Sequence, residues 1–465
     1  MGNPDAVVVG AGPNGLTAAA RLSRSGRKVL VIEASETIGG GTRTAELTEP
    51  GFSHDVCSAI HPFGVISPAY RLLQVAIDWI TPPVAASHPL DDGRAVGLFN
   101  SVEETASQFE SDDGDEWASL VGPIAGDLDT VVGTFLAGRI IPNPFSRANR
   151  IMTLQGARSA IALANRFAST EGRALIAGLA AHAVAPLETA FTAGIALLLA
   201  AVGNGRGWPI VHGGSQGLSE ALASIVREGG GEIRTGHEVT DISEFGDSSL
   251  FLDLNPSVAR SLARTRIEPV DIVTIGRWKP GPGVFKVDYA LDGPIPWSDP
   301  ISGKAGTVHL GGTLEEIAQS ERAVDEGSHP DRPFVLVAQQ SAFDPGRAPQ
   351  GKQTGWAYCH VPNGSDQDMT AAVEAQIERF APGFADRVIA RHVRTADGFQ
   401  RYNPNYVGGD ISGGEFSASR FLPAVKDPYR IGDRTYLCSS STPPGAGTHG
   451  MCGWNAARAE IDGHS

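Results

Sequence analysis

The chain has 465 residues, enough for more than one lobe with ample core, and its 41% hydrophobic and 19% charged content reads as ordinary globular protein. A formal net charge of −15 with no basic run argues against a nucleic-acid partner. The longest apolar run, residues 190–202, is broken by Thr192 and Gly194 and is too short for an ordinary membrane span, so no integral membrane segment is expected.

Cys57, Cys359, Cys438 and Cys452 lie far apart, with no C-x-x-C or metal-ligand spacing. No structural disulfide, redox dithiol or metal site is expected. An apolar strand begins almost at once and leaves no room for a signal peptide, so cytoplasmic residence is the expectation.

Residues 7–9 form that strand. Gly10, Gly12 and Gly15 follow at G-x-G-x-x-G spacing. Residues 16–25 are rich in helix-forming Ala and Leu, and Gly26 stops them. A second apolar strand, 28–33, ends in Glu33. This is a βαβ unit that binds a dinucleotide. Gly10 permits the tight turn, Gly12 lets backbone approach a pyrophosphate, and Gly15 lets the helix pack close to the sheet. The helix opens at Pro13 and Asn14, where free N–H groups and a partial positive charge face phosphates. Glu33, with Ala34 beside it, is placed to accept hydrogen bonds from ribose hydroxyls.

Gly39, Gly40 and Gly41, followed by Thr42 and Arg43, suggest backbone packed against a cofactor. The stretch resembles the second glycine motif of flavoprotein oxidases and desaturases, in which paired glycines and a nearby Arg contact FAD. In that family an Arg commonly follows the paired glycines directly. Here Gly41 has that place and Arg43 comes two residues later. Residues 51–62 read as an alternating strand and a turn passing near the flavin. His54 and His61 are both tempting as bases, and His61 is kept as a catalytic candidate beside the plainer role of a hydrogen-bonded structural residue.

From about 66 to 205 helical patterns dominate: 69–80, 102–109, 116–136, 147–165 and 171–182. Residues 112–116, DDGDE, resemble a calcium loop superficially; they lack the remaining spaced ligands and read as a solvated turn capping the next helix. Residues 174–202 are rich in Ala, Leu and Gly, which suits close helix packing or leaves room for an apolar ligand.

Residues 208–218 lead into a helix reaching 227, a glycine turn at 229–231 and a strand over 232–242 that returns to the nucleotide sheet, with Val239 in the cofactor-contacting set. The order P-x-x-G-G-x-x-x-L, helix, glycine turn, strand recurs in the same superfamily. A short strand over 250–254 and a helix opened by Asn255-Pro256-Ser257 follow. Strands are then expected over 284–291, 304–310, 333–340 and 355–360. In the first, Phe285, Val287 and Tyr289 share one face, and Val284, Lys286, Asp288 and Ala290 the other. A Lys in an alternating strand is usually solvated. Yet the segment, with Pro296-Trp297 downstream, resembles the strand of flavin amine oxidases whose Lys holds a water against flavin N5. By that resemblance Lys286 is the leading catalytic candidate.

A helix over 370–380 and a strand over 388–393 precede a second strand–turn–helix: strand 434–440, glycine-rich turn 441–450, helix 451–461. Gly445, Gly447, Thr448, Gly450 and Met451 join the cofactor-contacting set, and His449 is a third catalytic candidate or else a structural hydrogen-bonding residue. This stretch, with residues 403–414 upstream, resembles the closing FAD motif of phytoene desaturase-like (phytoene dehydrogenase-related) proteins of the flavin amine oxidase superfamily.

The resemblance implies an α/β fold: a doubly wound Rossmann-like FAD-binding domain built from residues 1–65, 206–275 and 396–465, with an inserted α+β substrate domain of residues 66–205 and 276–395. It implies an FAD-dependent oxidoreductase of the desaturase or dehydrogenase type, moving a hydride from an apolar substrate to flavin N5 and passing electrons to oxygen, a quinone or another acceptor. The alternatives are a redox-neutral flavin-dependent isomerase or saturase, and a non-catalytic flavin-binding interaction protein, the reading that Gly41 favours.

Overall fold

The computed structural model describes residues 4–110, 112–136, 143, 145–267, 278–417 and 427–463. The expected boundary between residues 275 and 276 lies outside them. The chain starts as the glycine spacing dictates: β1 (Ala6–Val9), α1 (Pro13–Arg24) and β2 (Val29–Ile32). β1 pairs in parallel with β2 on one side and with Ser249–Leu252 on the other. The full sheet has six strands, in the order Arg430–Gly432, Thr435–Leu437, Ser249–Leu252, β1, β2, Glu232–Arg234. Only the Arg430–Gly432 edge runs antiparallel. Three remote stretches of sequence thus meet in one sheet.

Both faces of this sheet are buried, which is why β1 reads as unbroken AVVV rather than alternating. Val8, Val31 and Phe251 pack with α1, while Val7, Val9, Leu30 and Leu250 pack on the opposite face. Burying each valine contributes about 1.5–3 kcal/mol. α1 lies between the helices Gln216–Glu228 and Met451–Asp462.

A second sheet has seven strands, in the order Val388–Arg394, Gly283–Leu291, Gln353–Val361, Val335–Ala338, Ala305–Leu310, Val84–Pro89, Ala95–Phe99. One face, carrying Phe285, Val287 and Tyr289, packs on the helix Thr370–Phe380. The other, carrying Leu336, Trp356 and Tyr358, packs on the helices between residues 113 and 206. The fold is therefore the expected α/β arrangement: a Rossmann-like parallel sheet beside a mixed sheet covered by helices.

Several expected elements are corrected. The helix expected over 69–80 stops at Leu73, where Gln74 takes a left-handed conformation, and Trp79–Ile80 is instead a strand paired with Ile210–Val211. The helix over 116–136 divides at Asp127 into Asp113–Gly126 and Leu128–Phe135. That over 147–165 divides into Arg147–Leu154 and Ala160–Ala164. Two strands, Val84–Pro89 and Ala95–Phe99, lie within the stretch read as helical. The strand over 232–242 ends at Arg234. Asp113 is not a solvated turn residue: it is buried, and its carboxylate accepts the Ala168 and Ser169 N–H groups at 2.8 and 2.7 Å.

Candidate active site

One cleft runs between the two sheets, enclosing about 750 Å³, a usual size for a ligand site. Gly12 of the first glycine turn and Gly447 of the last line it together. The chain ends that the sequence motifs link therefore share one crevice.

The first turn is shaped by close approach. Gly10 leaves β1 with φ +102°, and its N–H donates to Ile32 O at 2.8 Å. A Cβ on Gly15 would fall 2.2 Å from Gly10 O, so this position packs helix against turn. A Cβ on Gly40 would fall 3.1 Å from Gly12 Cα, so the second glycine turn lies directly on the first. α1 begins at Gly12, which has no side chain to cap it, and Gly12, Pro13 and Asn14 of its first turn line the cleft. Asn14 Oδ1 is buried with no hydrogen-bond partner among the described residues.

Glu33 lines the cleft at the end of β2. Its carboxylate accepts the Ala11 N–H at 2.8 Å and the Ser35 N–H at 3.0 Å, and the Arg43 guanidinium stands 3.3 Å away. Arg43 is itself fixed by Thr37 O and by Tyr402 Oη. Arg43 thus supplies a guanidinium at the cleft wall although residue 41 is glycine.

Of the sequence-derived cofactor set, Gly10, Gly12, Pro13, Asn14, Glu33, Ala34, Gly40, Gly41, Thr42, Arg43, Val239, Gly445, Gly447 and Thr448 all line the cleft. Gly15, Gly450 and Met451 do not. Gly15 packs on Gly10. Gly450 has φ +67° and lies against Thr17, and Met451 is in the core around α1.

The three catalytic candidates are not on the cleft wall. Lys286 is 1% exposed rather than solvated, and its ammonium is bonded to Asp288. It stands on the cleft-facing side of the sheet, opposite Tyr358 in the next strand, 5.5 Å from the Trp356 ring centroid. Trp356 and Tyr358 form the wall there. Burial pushes the Lys286 ammonium pKa down and the Asp288 charge opposes that shift. His54 and His392 complete the ring around Asp288 at 3.7 and 3.6 Å. His61 is fully buried, with Nε2 2.9 Å from Ser215 Oγ, and burial lowers its pKa to about 4. His449 Nδ1 accepts the Met451 N–H at 3.0 Å, tying down the start of the last helix, and burial lowers its pKa to about 4 as well. Burial keeps both imidazoles neutral.

Two features of the wall escaped the sequence reading. Asp253 follows the strand next to β1, and its Oδ2 accepts the Gly15 N–H at 3.0 Å. Desolvation in this recess, with Glu33 nearby, pushes its pKa up to about 7. Its place at the carboxyl end of a parallel strand was a readable signal. The second feature is the apolar wall of Ile195, Leu199, Trp208, Leu336, Trp356 and Tyr358, which only tertiary packing assembles.

These residues fit a dinucleotide such as FAD. Asn14 Oδ1 in the first turn of α1 is buried without a hydrogen-bond partner among the described residues, a Cβ on Gly12 would fall 2.7 Å from Asp253 Oδ2, so only glycine lets the turn lie this close, and an acid stands at the end of β2.

Residues 8–74 match the model of the NAD(P)-binding Rossmann-like domain. Along 97% of its length the chain is 25% identical to pyridine nucleotide-disulfide oxidoreductase domain-containing protein 2 of Mus musculus, covering 92% of that protein. Over 108 residues, 23% of this chain and 19% of the relative, it is 38% identical to a limonene dehydrogenase component of Castellaniella defragrans. The solved structure of putrescine oxidase bound to putrescine superposes with a TM-score of 0.63 at 16% identity, covering 99% of this chain and 98% of that one. The chain is thus similar along its length to an oxidoreductase-domain protein, and it has a fold of the flavin amine oxidase type.

Proposed function

We propose that this protein is an FAD-dependent oxidoreductase of the desaturase or dehydrogenase type, acting on an apolar substrate. The observation that carries the reading is the single cleft: nucleotide-binding turns from both chain ends open into a space walled by Leu199, Leu336, Trp208 and Trp356. Bound flavin supplies the hydride-accepting chemistry. The protein's own part is binding, orientation and exclusion of water. The α1 N-terminus holds phosphate and Glu33 takes ribose hydroxyls. The aromatic and aliphatic wall desolvates a hydrocarbon and fixes which C–H bond faces the cofactor. Such a reaction needs no general base, which accords with the buried, neutral state of His61 and His449.

The name of the limonene dehydrogenase relative supports an apolar substrate, although that match covers only 23% of this chain. Oxygen or a quinone would serve as electron acceptor, and a cytoplasmic setting completes the reading. Among the described residues no helix is long and apolar enough to cross a membrane.

The test is spectroscopic. Purified protein is expected to show flavin absorbance and to release FAD on denaturation, and an apolar alkene substrate is expected to bleach it without oxygen. Protein that releases no flavin would end this reading. Reduced flavin reoxidised by a polyene, with no bleaching by its more saturated partner, would select the saturase direction.

A further inference from the structure

We infer that the cleft contains a polar subsite, His182 backed by His309, that binds the carbonyl oxygen of an otherwise apolar ligand. This deepens the function proposed above and rests on it for the ligand's apolar part.

His182 follows the helix Thr170–Ala181 and lines the cleft; His309, on the interior strand Ala305–Leu310, does not. Their Nε2 atoms lie 3.0 Å apart. Burial lowers the pKa of His182 to about 3 and that of His309 well below its ordinary value, so both rings are neutral. One proton therefore lies between the two Nε2 atoms, and each ring carries one N–H in all.

The surroundings decide which ring donates. His88 Nε2 lies 2.7 Å from Gly312 O, so that nitrogen carries the proton and His88 Nδ1 is bare. His309 Nδ1 is buried with no partner, and it points with His88 Nδ1 at Gly178, where a Cβ would fall 2.7 and 3.0 Å from them. A proton on His309 Nδ1 would be an orphaned buried donor, whereas a bare lone pair costs less. His309 Nε2–H thus donates to His182 Nε2. His182 must then carry its own proton on Nδ1, an edge with no hydrogen-bond partner among the described residues.

Trp208 holds the His182 ring edge-on at 5.5 Å. On the same wall Thr307 is 3% exposed and its Oγ1 has no partner. A neutral N–H and a hydroxyl, set among Leu199, Leu336 and Trp208, offer donors and no charge. An uncharged acceptor, a ketone or aldehyde oxygen, suits the His182 N–H, with the Thr307 hydroxyl a further donor on the same wall. A carboxylate would lack a cation there, and a plain hydrocarbon would leave both donors unpaired.

Full-length protein is tested with 2-octanone and 1-octene as probes, free ligand being measured by headspace gas chromatography. The wild type is expected to bind the ketone about tenfold more tightly than H182F does, with 1-octene bound alike by both. His309 is a positioning residue, so a second measurement reads tautomers directly. In 15N spectra of histidine-labelled wild type, His182 is expected as the Nδ1–H form, assigned by its loss in H182F, and H309F is expected to move it toward Nε2–H. Ketone binding equal in wild type and H182F, no ketone binding by wild type, or an Nε2–H His182 in wild type would each overturn the proposal. FAD content of the same samples separates the two readings: flavin-loaded protein without ketone discrimination sinks only the subsite. Flavin-free protein with discrimination sinks the oxidoreductase reading and leaves the subsite standing.

Discussion

A Cβ on Gly41 would fall 2.3 Å from Tyr406 Oη, while the Tyr406 ring carbon beneath it would stay 3.6 Å away. That contact explains why the Arg expected after paired glycines is absent at 41: the phenol occupies its space, and Arg43 brings a guanidinium in from two residues further on. G41A is expected to destabilise the protein by about 1–3 kcal/mol through overpacking, and Y406F to relieve much of that loss by removing the hydroxyl. Urea unfolding of the four proteins of this cycle reads the coupling; additive effects would refute the steric account. Asp253 gives a second prediction. Its pKa is about 7 in the folded protein against about 3.9 for an unperturbed Asp, so the folded state binds its proton preferentially between those values. The stability this contributes is complete below about pH 4 and is lost as pH rises through about 7. Buried His61, His88 and His449, lowered to about 4, act with the opposite sign, because the unfolded chain protonates them first as pH falls. Comparison with D253N cancels that background. The stability of wild type relative to D253N is expected to fall steadily from pH 5 to pH 8; a flat difference would show that Asp253 does not hold a proton in the folded state.

Among elements, the decisive contact is between α1 and the helix Met451–Asp462. A Cβ on Gly453 would fall 1.8 Å from Asn14 O and 3.0 Å from Ala18 N, so the last helix rests backbone against backbone on the first. G453A is expected to cost about 1–3 kcal/mol and to weaken FAD retention, since it pushes apart the two turns that line the nucleotide end. Gly133, in the helix Leu128–Phe135, has open space at its Cβ, so G133A is the matched control and is expected to stabilise by about 0.5–1 kcal/mol. Thermal unfolding and bound-flavin content check both; G453A behaving like G133A would contradict this packing. Elements of this kind were legible where local chemistry sets them. The G-x-G-x-x-G turn, the acid closing β2, and the helices Thr370–Phe380 and Met451–Asp462 follow from glycine placement and periodicity. Val84–Pro89 was not legible, because VAASHP has weak strand propensity and is held by pairing with Ala305–Leu310 and Ala95–Phe99. The placement of the catalytic candidates was illegible for a related reason. Spacing puts Lys286 on the correct sheet face, but only the neighbouring strand's Trp356 and Tyr358 determine that it stands off the wall. His182 carries no motif at all.

At the scale of the whole molecule, what holds the cleft's flank is a knot of charge buried among three distant segments. Arg347 is 1% exposed; its guanidinium donates to Asp55 Oδ2 at 2.5 Å, Asp344 Oδ2 at 2.9 Å and Val211 O at 2.6 Å. Asp55 Oδ1 also accepts the Ser215 N–H at 2.7 Å and the Thr44 hydroxyl at 2.9 Å, and Asp344 accepts the Gly213 N–H at 2.8 Å. The P-x-x-G-G loop, the strand Ser53–Asp55 and residues 344–347 are thereby fastened to one guanidinium. Desolvating such a group is costly, so the knot adds little net stability relative to a well-packed apolar replacement; its strength appears when one member is removed. R347M leaves two buried carboxylates without their cation and is expected to lose about 3–5 kcal/mol, a large part of the 5–15 kcal/mol that folded proteins hold in total. Replacing both acids as well, in R347M/D55N/D344N, removes the uncompensated charge while keeping acceptors for the Ser215 and Gly213 N–H groups, and is expected to recover part of the loss. Equilibrium urea unfolding of the single and triple variants reads both numbers. A triple variant no more stable than R347M would mean that the segments are held by packing and neutral hydrogen bonds, with the charge incidental.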